Sequence, residues 1–337
     1  MRDKLYRSVE PNLELNVQAG LEQVEDLLGQ SVSSARDLID ELTRHLADAG
    51  GKRLRPMLTL IAGQLGAPHR AQSEEVVQAA TAMELTHLAS LYHDDVMDSA
   101  EQRRGVESAQ RIWGNNSAIL AGDVLFSRAS FLVAGLGQES VLYHARTFER
   151  LCMGQLNETF GPAEGDDPVD FYLQVLADKT GSLVAASAYF GAVHSGAGRE
   201  VAAMTERFGE AVGVAFQLAD DVIDIVSPGE ITGKTPGTDL REGVDTMPVL
   251  LLRKHQAAGD LDDEGQRILE LLEEDLSSDE ALAQVVEALS AHPVIDETRA
   301  LARAWADEAV EHLAALPESE AKDALEAFAF LMVDRAA

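Results

Sequence analysis

Residues 76–98 read VVQAATAMELTHLASLYHDDVMD, and the reading of this stretch decides the fold. Its apolar residues recur at steps of three and four, the period of a helix face rather than the alternation of a strand. On such a helix Asp94 and Asp98, four residues apart, share one face a turn apart, and Asp95 sits beside them. Three like charges there destabilise a helix unless something cationic bridges them. The same period and the same acidic spacing return in ERFGEAVGVAFQLADDVID, residues 206–224, as Asp220, Asp221 and Asp224.

The remaining chain fits the helical reading. No proline occurs between Pro68 and Pro162 or between Pro168 and Pro228, so long helices are permitted in both intervals. Strand-like alternation is scarce. An all-α fold is expected, a large helical bundle forming a single domain over residues 1–337, because no Gly, Ser or Pro linker breaks the chain. Loops are expected at GGKRLRP (50–56), SAEQRRG (99–105), FGPAEGDDP (160–168) and SPGEITGKTPGTDLREG (227–243). Residues 261–337 read as acidic amphipathic helices with solvated outer faces.

An internal control bears on the acidic triplets. GDDPVD repeats the spacing in Asp166, Asp167 and Asp170, but Pro168 and the nearby glycines place it in a loop or at a helix start, where the shared-face argument fails. That copy is read as accidental. The two helical triplets, set among apolar residues, are read as hard oxygen ligands; facing each other they would form a cage suited to Mg²⁺ and substrate phosphates.

The net charge of −31 argues against a nucleic-acid partner. Any phosphate partner must meet local basic clusters, and two stand out: Lys52, Arg53 and Arg55 in GGKRLRP, and Arg103 and Arg104 in EQRRG. The single cysteine, Cys152, fits a reducing compartment and reads as a small apolar side chain. MRDKLYRSVEPNLELNV lacks a signal-peptide core, and no stretch reads as the roughly 18–20 apolar residues of a membrane span. A soluble, cytoplasmic protein is expected.

GGKRLRP, HLASLYHDDVMD followed by RRG, GQLNE, DKTGSL, FQLADDVID and GKTPGTDLREG occur in this order. In this the sequence resembles the trans-isoprenyl diphosphate synthases, the polyprenyl synthetase family, over essentially its whole length. The resemblance implies an isoprenoid-synthase bundle with a central apolar cavity, several Mg²⁺ ions and two substrates. An allylic diphosphate would bind through metal between the triplets, and isopentenyl diphosphate without metal in a basic pocket. By motif position, Lys52, Arg55, His87 and Arg104 would hold isopentenyl diphosphate. Arg103, Lys179, Thr180, Gln217 and Lys234 would surround the allylic diphosphate, with Gln155 and Glu158 near the metals. Lys179 and the six aspartates would be the catalytic set. After DLREG this chain has Val244 where the family usually has a lysine. A homodimer is implied as well.

In that family the product grows into an apolar tunnel along the first acidic helix. Ala89 and Ser90 lie ~6–7.5 Å before Asp94 along such a helix, and both are small, which leaves the tunnel open. Deeper stoppers would be Phe126 or Phe131 in AGDVLFSRASFLV; Tyr92 does not clearly face the tunnel. A medium- or long-chain product of the kind used for quinone side chains is therefore expected. The alternatives are a short-chain geranylgeranyl or farnesyl diphosphate synthase, a terpene cyclase-like enzyme without the isopentenyl site, and a non-catalytic subunit of a heteromeric synthase.

Overall fold

The computed structural model describes residues 11–227 and 236–334. In chain order its helices are α1 (Pro11–Val32), α2 (Asp37–Asp48), α3 (Leu54–Gly63), α4 (Glu74–Met97), α5 (Ala109–Trp113), α6 (Asn115–Gly135), α7 (Gln138–Phe160) and α8 (Pro168–Leu176). A π-helical turn, Ala177–Gly181, leads into α9 (Ser182–Ser195). There follow α10 (Arg199–Val226), α11 (Thr238–Arg241), α12 (Met247–Ala258), α13 (Asp263–Leu272), α14 (Asp279–Ala291), α15 (Val294–His312) and α16 (Glu320–Val333). The one sheet among the described residues is a hairpin of β1 (Gln102–Arg103) and β2 (Val106–Glu107). The all-α expectation is met, and the hairpin overlaps the end of the expected loop 99–105 and runs two residues past it.

Contacts divide the described chain into two compact units. One takes the chain up to Glu149, Ser182–Gly209 and His312–Ala327; the other takes Arg150–Gly181, Glu210–Glu311 and the chain from Phe328.

In the first unit α4 packs against α1, α3, α6 and α9. Burial on nearly all its sides, not on one stripe, makes it a core helix. Its buried hydroxyls are satisfied locally: Thr81 donates to the Val77 carbonyl, Thr86 to that of Ala82 and Ser90 to that of His87. Glu74 and Glu75 occupy its first turn, where the helix dipole favours negative charge. Its C-terminal half shares a core with Leu28, Leu46, Ala121 and Leu125.

The second unit is built around the end of α10, whose Leu218, Val222 and Ile225 pack with Leu250, Leu269, Leu282 and Ile295. Asp262 caps α13 through the Gly265 N–H and Ser278 caps α14 through the Ala281 N–H, so the acidic C-terminal helices form as read. Asp167 explains the accidental triplet: it is the N-cap of α8, accepting from the Val169 and Asp170 N–H groups, with Pro168 in the first turn.

Helix α6, 21 residues with mean hydropathy 1.5 over its best window, is long and apolar enough to cross a membrane, and only 33% of that window is buried. Asn115, Asn116, Asp123 and Arg128 interrupt its apolar runs. A face of α6 packs on α4, as a core helix of a water-soluble fold also does.

Candidate active site

Asp94 and Asp95 lie in the last turn of α4 and Asp98 is its C-cap, with no basic residue in that turn. The negative end of the helix dipole thus adds to three carboxylates. Asp95 is fully buried; Arg103 Nε donates to its Oδ1 at 2.6 Å, while its Oδ2 is enclosed without a hydrogen-bond partner. Burial pushes the Asp95 carboxyl up, against the pull of Arg103. Asp94 is half-buried and Asp98 exposed.

The second triplet repeats this arrangement. Asp220, Asp221 and Asp224 occupy the last two turns of α10, again with no basic residue in the last turn. Asp221 is buried; Tyr172 Oη donates to its Oδ1 and Oδ2 at 3.2 and 3.0 Å, and the Met247 N–H reaches Oδ2 at 3.1 Å. Burial pushes Asp221 up to about 8, with Asp239 and Asp220 adding to the rise and the two donors opposing it. Asp220 and Asp224 are half-buried.

These groups suit a divalent cation. The orphaned Asp95 Oδ2 and the burdened Asp221 carboxyl sit in surroundings that added positive charge would relieve. Among the described residues no three acidic or imidazole side chains converge into a ready-made cage. A divalent cation held by few carboxylates would complete its shell with water and phosphate oxygens.

The basic cluster of the first unit is organised around a buried acid, Glu84, 2% exposed. Arg53 Nη1 donates to Glu84 Oε1 at 3.2 Å, and Arg104 Nη2 lies 3.6 Å from the same oxygen. Arg53 has φ 50° and is held further by Glu25 and the carbonyls of Gly50 and Ala47. Arg104 and Gly105, φ 56° and 79°, form the two-residue turn of the hairpin, the geometry that matches strand twist. That turn lets Arg104 donate to the carbonyls of Leu46 and Gly50. A Cβ on Gly51 would lie 2.9 Å from Arg53 Nη1 and 3.0 Å from Arg104 Cζ, so the GG of GGKRLRP makes room for guanidinium groups.

Arg55 is half-buried, its Nε enclosed without a partner; burial, with Arg104 adding, holds its guanidinium down to about 10, still charged at neutral pH. Burial and then Arg55, Arg104, Arg103 and Arg53 hold the His87 imidazole well below its usual range. His87 is therefore a neutral hydrogen-bonding group and not a cation. Lys52 is exposed. The cluster has more guanidinium groups than carboxylates in contact with them, which is the chemistry of an anion site.

Lys179 and Thr180 lie in the π turn, and Lys179 Nζ pairs with Glu158. Gln155 and Gln217 are half-buried on α7 and α10. Lys234 lies outside the described residues.

Ala89 is fully buried and Ser90 9% exposed on α4. Phe126 packs against Phe148 and His93, with ring centroids 4.4 and 5.6 Å away. Phe131 is 81% exposed, which corrects its reading as a tunnel stopper. It borders a surface groove of about 390 Å³ with Gln30, Ser31, Ser127, Arg128 and Leu132. The Tyr92 hydroxyl donates to the Leu42 carbonyl at 2.6 Å and accepts from the Leu46 N–H, so it is bound into the core.

Sequence reasoning missed Glu84 and Tyr172. Glu84 was legible as a lone acid inside an apolar run; Tyr172 carried no signal, since its partner is 49 residues away.

Known proteins resemble this chain in both sequence and fold. The polyprenyl synthetase family model matches residues 36–289. Nonaprenyl diphosphate synthase of Mycobacterium tuberculosis is 41% identical over 319 residues, covering 95% of this chain and 93% of that protein. The crystal structure of geranylgeranyl pyrophosphate synthase from Corynebacterium glutamicum, complexed with calcium and isoprenyl diphosphate, superposes with TM-score 0.84 at 41% identity, covering 97% and 98% of the chains. Polyprenyl synthase from Caulobacter crescentus, also complexed with calcium and isoprenyl diphosphate, gives TM-score 0.86 at 31% identity over 100% and 98%.

Proposed function

The chain belongs to the polyprenyl synthetase family, and from that premise we propose a trans-prenyltransferase that extends an allylic diphosphate with isopentenyl diphosphate to a medium- or long-chain all-trans polyprenyl diphosphate, of the kind quinone side chains use. The observation that carries the reading is the guanidinium cluster around the buried Glu84 of α4, the chemistry of a diphosphate site in a chain of net charge −31. Its presence also favours condensation over a cyclase, which has no use for a second diphosphate. Chain length rests on the nonaprenyl relative and on the small, buried Ala89 and Ser90.

Arg55, Arg104 and Lys52 bind isopentenyl diphosphate, with neutral His87 contributing a hydrogen bond. Arg103, Lys179, Thr180, Gln217 and Lys234 take the allylic diphosphate. The divalent ion would be Mg²⁺, held by the carboxylates of Asp94, Asp95 and Asp98 in the first triplet and of Asp220, Asp221 and Asp224 in the second. Arg103 orients the Asp95 carboxylate, and Tyr172 with the Met247 N–H orients that of Asp221. Mg²⁺ held there would supply positive charge to offset that of the departing diphosphate. Lys179 and Arg103 stabilise the same anion electrostatically. The double bond of isopentenyl diphosphate attacks the allylic cation, a proton leaves, and apolar walls exclude the water that would quench the cation. No side-chain nucleophile is needed.

The enzyme works in the cytoplasm as a homodimer and folds as one domain, since each compact unit is assembled from separated segments. A second copy would cover the apolar face of α6 and α7, where Leu120, Phe131 and Leu142 are 62%, 81% and 52% exposed. Sedimentation at micromolar concentration tests this: a dimer is expected, and a Leu120→Glu/Phe131→Glu variant that sediments unchanged removes this face from the interface. For the reaction, product length from farnesyl diphosphate and excess isopentenyl diphosphate is the test. Products beyond twenty carbons support the reading.

A further inference from the structure

Lys179 and Thr180 sit in a π-helical turn, Ala177–Gly181. Such turns persist where their surroundings hold them, and they gather at functional sites. Here the turn is held from several directions within one unit. Arg150 of α7 donates through Nε to Asp178 Oδ1 at 2.7 Å, through Nη1 to Glu210 Oε2 at 2.5 Å, and through Nη2 to the Ala177 carbonyl at 3.5 Å. Gln174 Nε2 donates to Asp178 Oδ2 at 2.9 Å, so both oxygens of that carboxylate are engaged.

The backbones around the turn are in direct contact. A Cβ on Gly154 of α7 would lie 2.5 Å from the Lys179 nitrogen, and one on Gly213 of α10 would lie 2.5 Å from the Gly181 Cα. One guanidinium thus ties α7, the turn and α10 together at a point where side chains have been removed to let them meet. Lys179 has a long flexible stem, so the direction of its backbone decides where its ammonium reaches. Relaxing the turn into a regular helix would remove a residue from it and rotate the next helix by about 100°.

We propose that Arg150 is a positioning residue for the reaction: through Asp178, Ala177 and Glu210 it holds the π turn in the register that presents Lys179 and Thr180 to the allylic diphosphate. This deepens the proposed function and rests on its assignment of Lys179.

The test is a double-mutant cycle on the full-length enzyme, measuring farnesyl diphosphate affinity by calorimetry with Mg²⁺ and no isopentenyl diphosphate. Arg150→Met should weaken binding about 10-fold, a difference of ~1.4 kcal/mol. It should raise KM for farnesyl diphosphate while leaving KM for isopentenyl diphosphate within about 2-fold, and Arg150→Lys should recover part of the loss. In a Lys179→Ala background, Arg150→Met should cost much less, about 3-fold or under, because only the share that passes through Thr180 remains to be lost. If Arg150→Met yields little folded protein, Asp178→Asn carries the same expectations. Unchanged affinity in Arg150→Met, or an equal loss with and without Lys179, overturns the inference and leaves the function standing. Unchanged affinity in Lys179→Ala alone overturns the assignment of Lys179, and the inference with it.

Discussion

Glu84 is the one acid shared by the guanidinium groups of the basic cluster, and replacing it tests how that cluster is held. Its side chain is 2% exposed, with Arg53 Nη1 at 3.2 Å and Arg104 Nη2 at 3.6 Å; those side chains are 4% and 15% exposed. At an effective dielectric of about 20 each pair carries ~5 kcal/mol of gross attraction, most of it offset by desolvation. Breaking a buried pair by removing one partner costs about 3–5 kcal/mol because the other charge stays behind. Glu84→Gln keeps an acceptor for Arg53, and both arginines keep backbone carbonyls, so the low end, ~3 kcal/mol, is expected. Glu84→Leu removes the acceptor and should cost about 1–2 kcal/mol more. In urea unfolding, with a slope of about 3 kcal/mol/M, the glutamine variant should lose ~1 M in its midpoint. A loss below ~0.3 M, or a leucine variant no worse than the glutamine one, would show that Glu84 does not hold the cluster.

Gly154→Ala places a methyl against the Lys179 backbone; overpacking of this kind costs ~1–3 kcal/mol, and turnover should fall at least about 10-fold while the protein stays folded, read by steady-state kinetics. Tyr172→Phe removes the hydroxyl that donates to Asp221; about 1.5–3 kcal/mol of stability should go, measured by urea melts, and half-saturating Mg²⁺ in turnover should rise. His255 lies 3.0 Å from both Glu297 and Asp260, which raise its proton affinity. A raised folded value means its stabilisation is complete below the unfolded value near 6.5 and fades as pH climbs through the folded one. His255→Gln should therefore lower the urea midpoint at pH 5.5 and leave it unchanged at pH 9.

Helix α4 was legible because its period survives in the sequence, even though the helix proves buried on several sides rather than one. The carboxylate positions were legible for a related reason: a triplet of like charges inside an apolar helix has few stable solutions without a cation. The different surroundings within each triplet were not legible, since Asp95 is bound by Arg103 of the hairpin and Asp221 by Tyr172 and Met247 from two helices distant in sequence. Nor was the role of Arg53, whose left-handed backbone turns it away from the apparent row of basic residues into the contacts with Glu25 and Glu84. Phe131 was misread because an aromatic in an apolar helix gives no sign of which face it occupies until the neighbours of that helix are known.

The most direct measurement of the central claim is the product profile from farnesyl diphosphate and excess labelled isopentenyl diphosphate, run with Mg²⁺ and in parallel with a chelator. Metal-dependent products of thirty or more carbons are expected. Products that halt at twenty carbons, or extension that continues undiminished under the chelator, contradict the account.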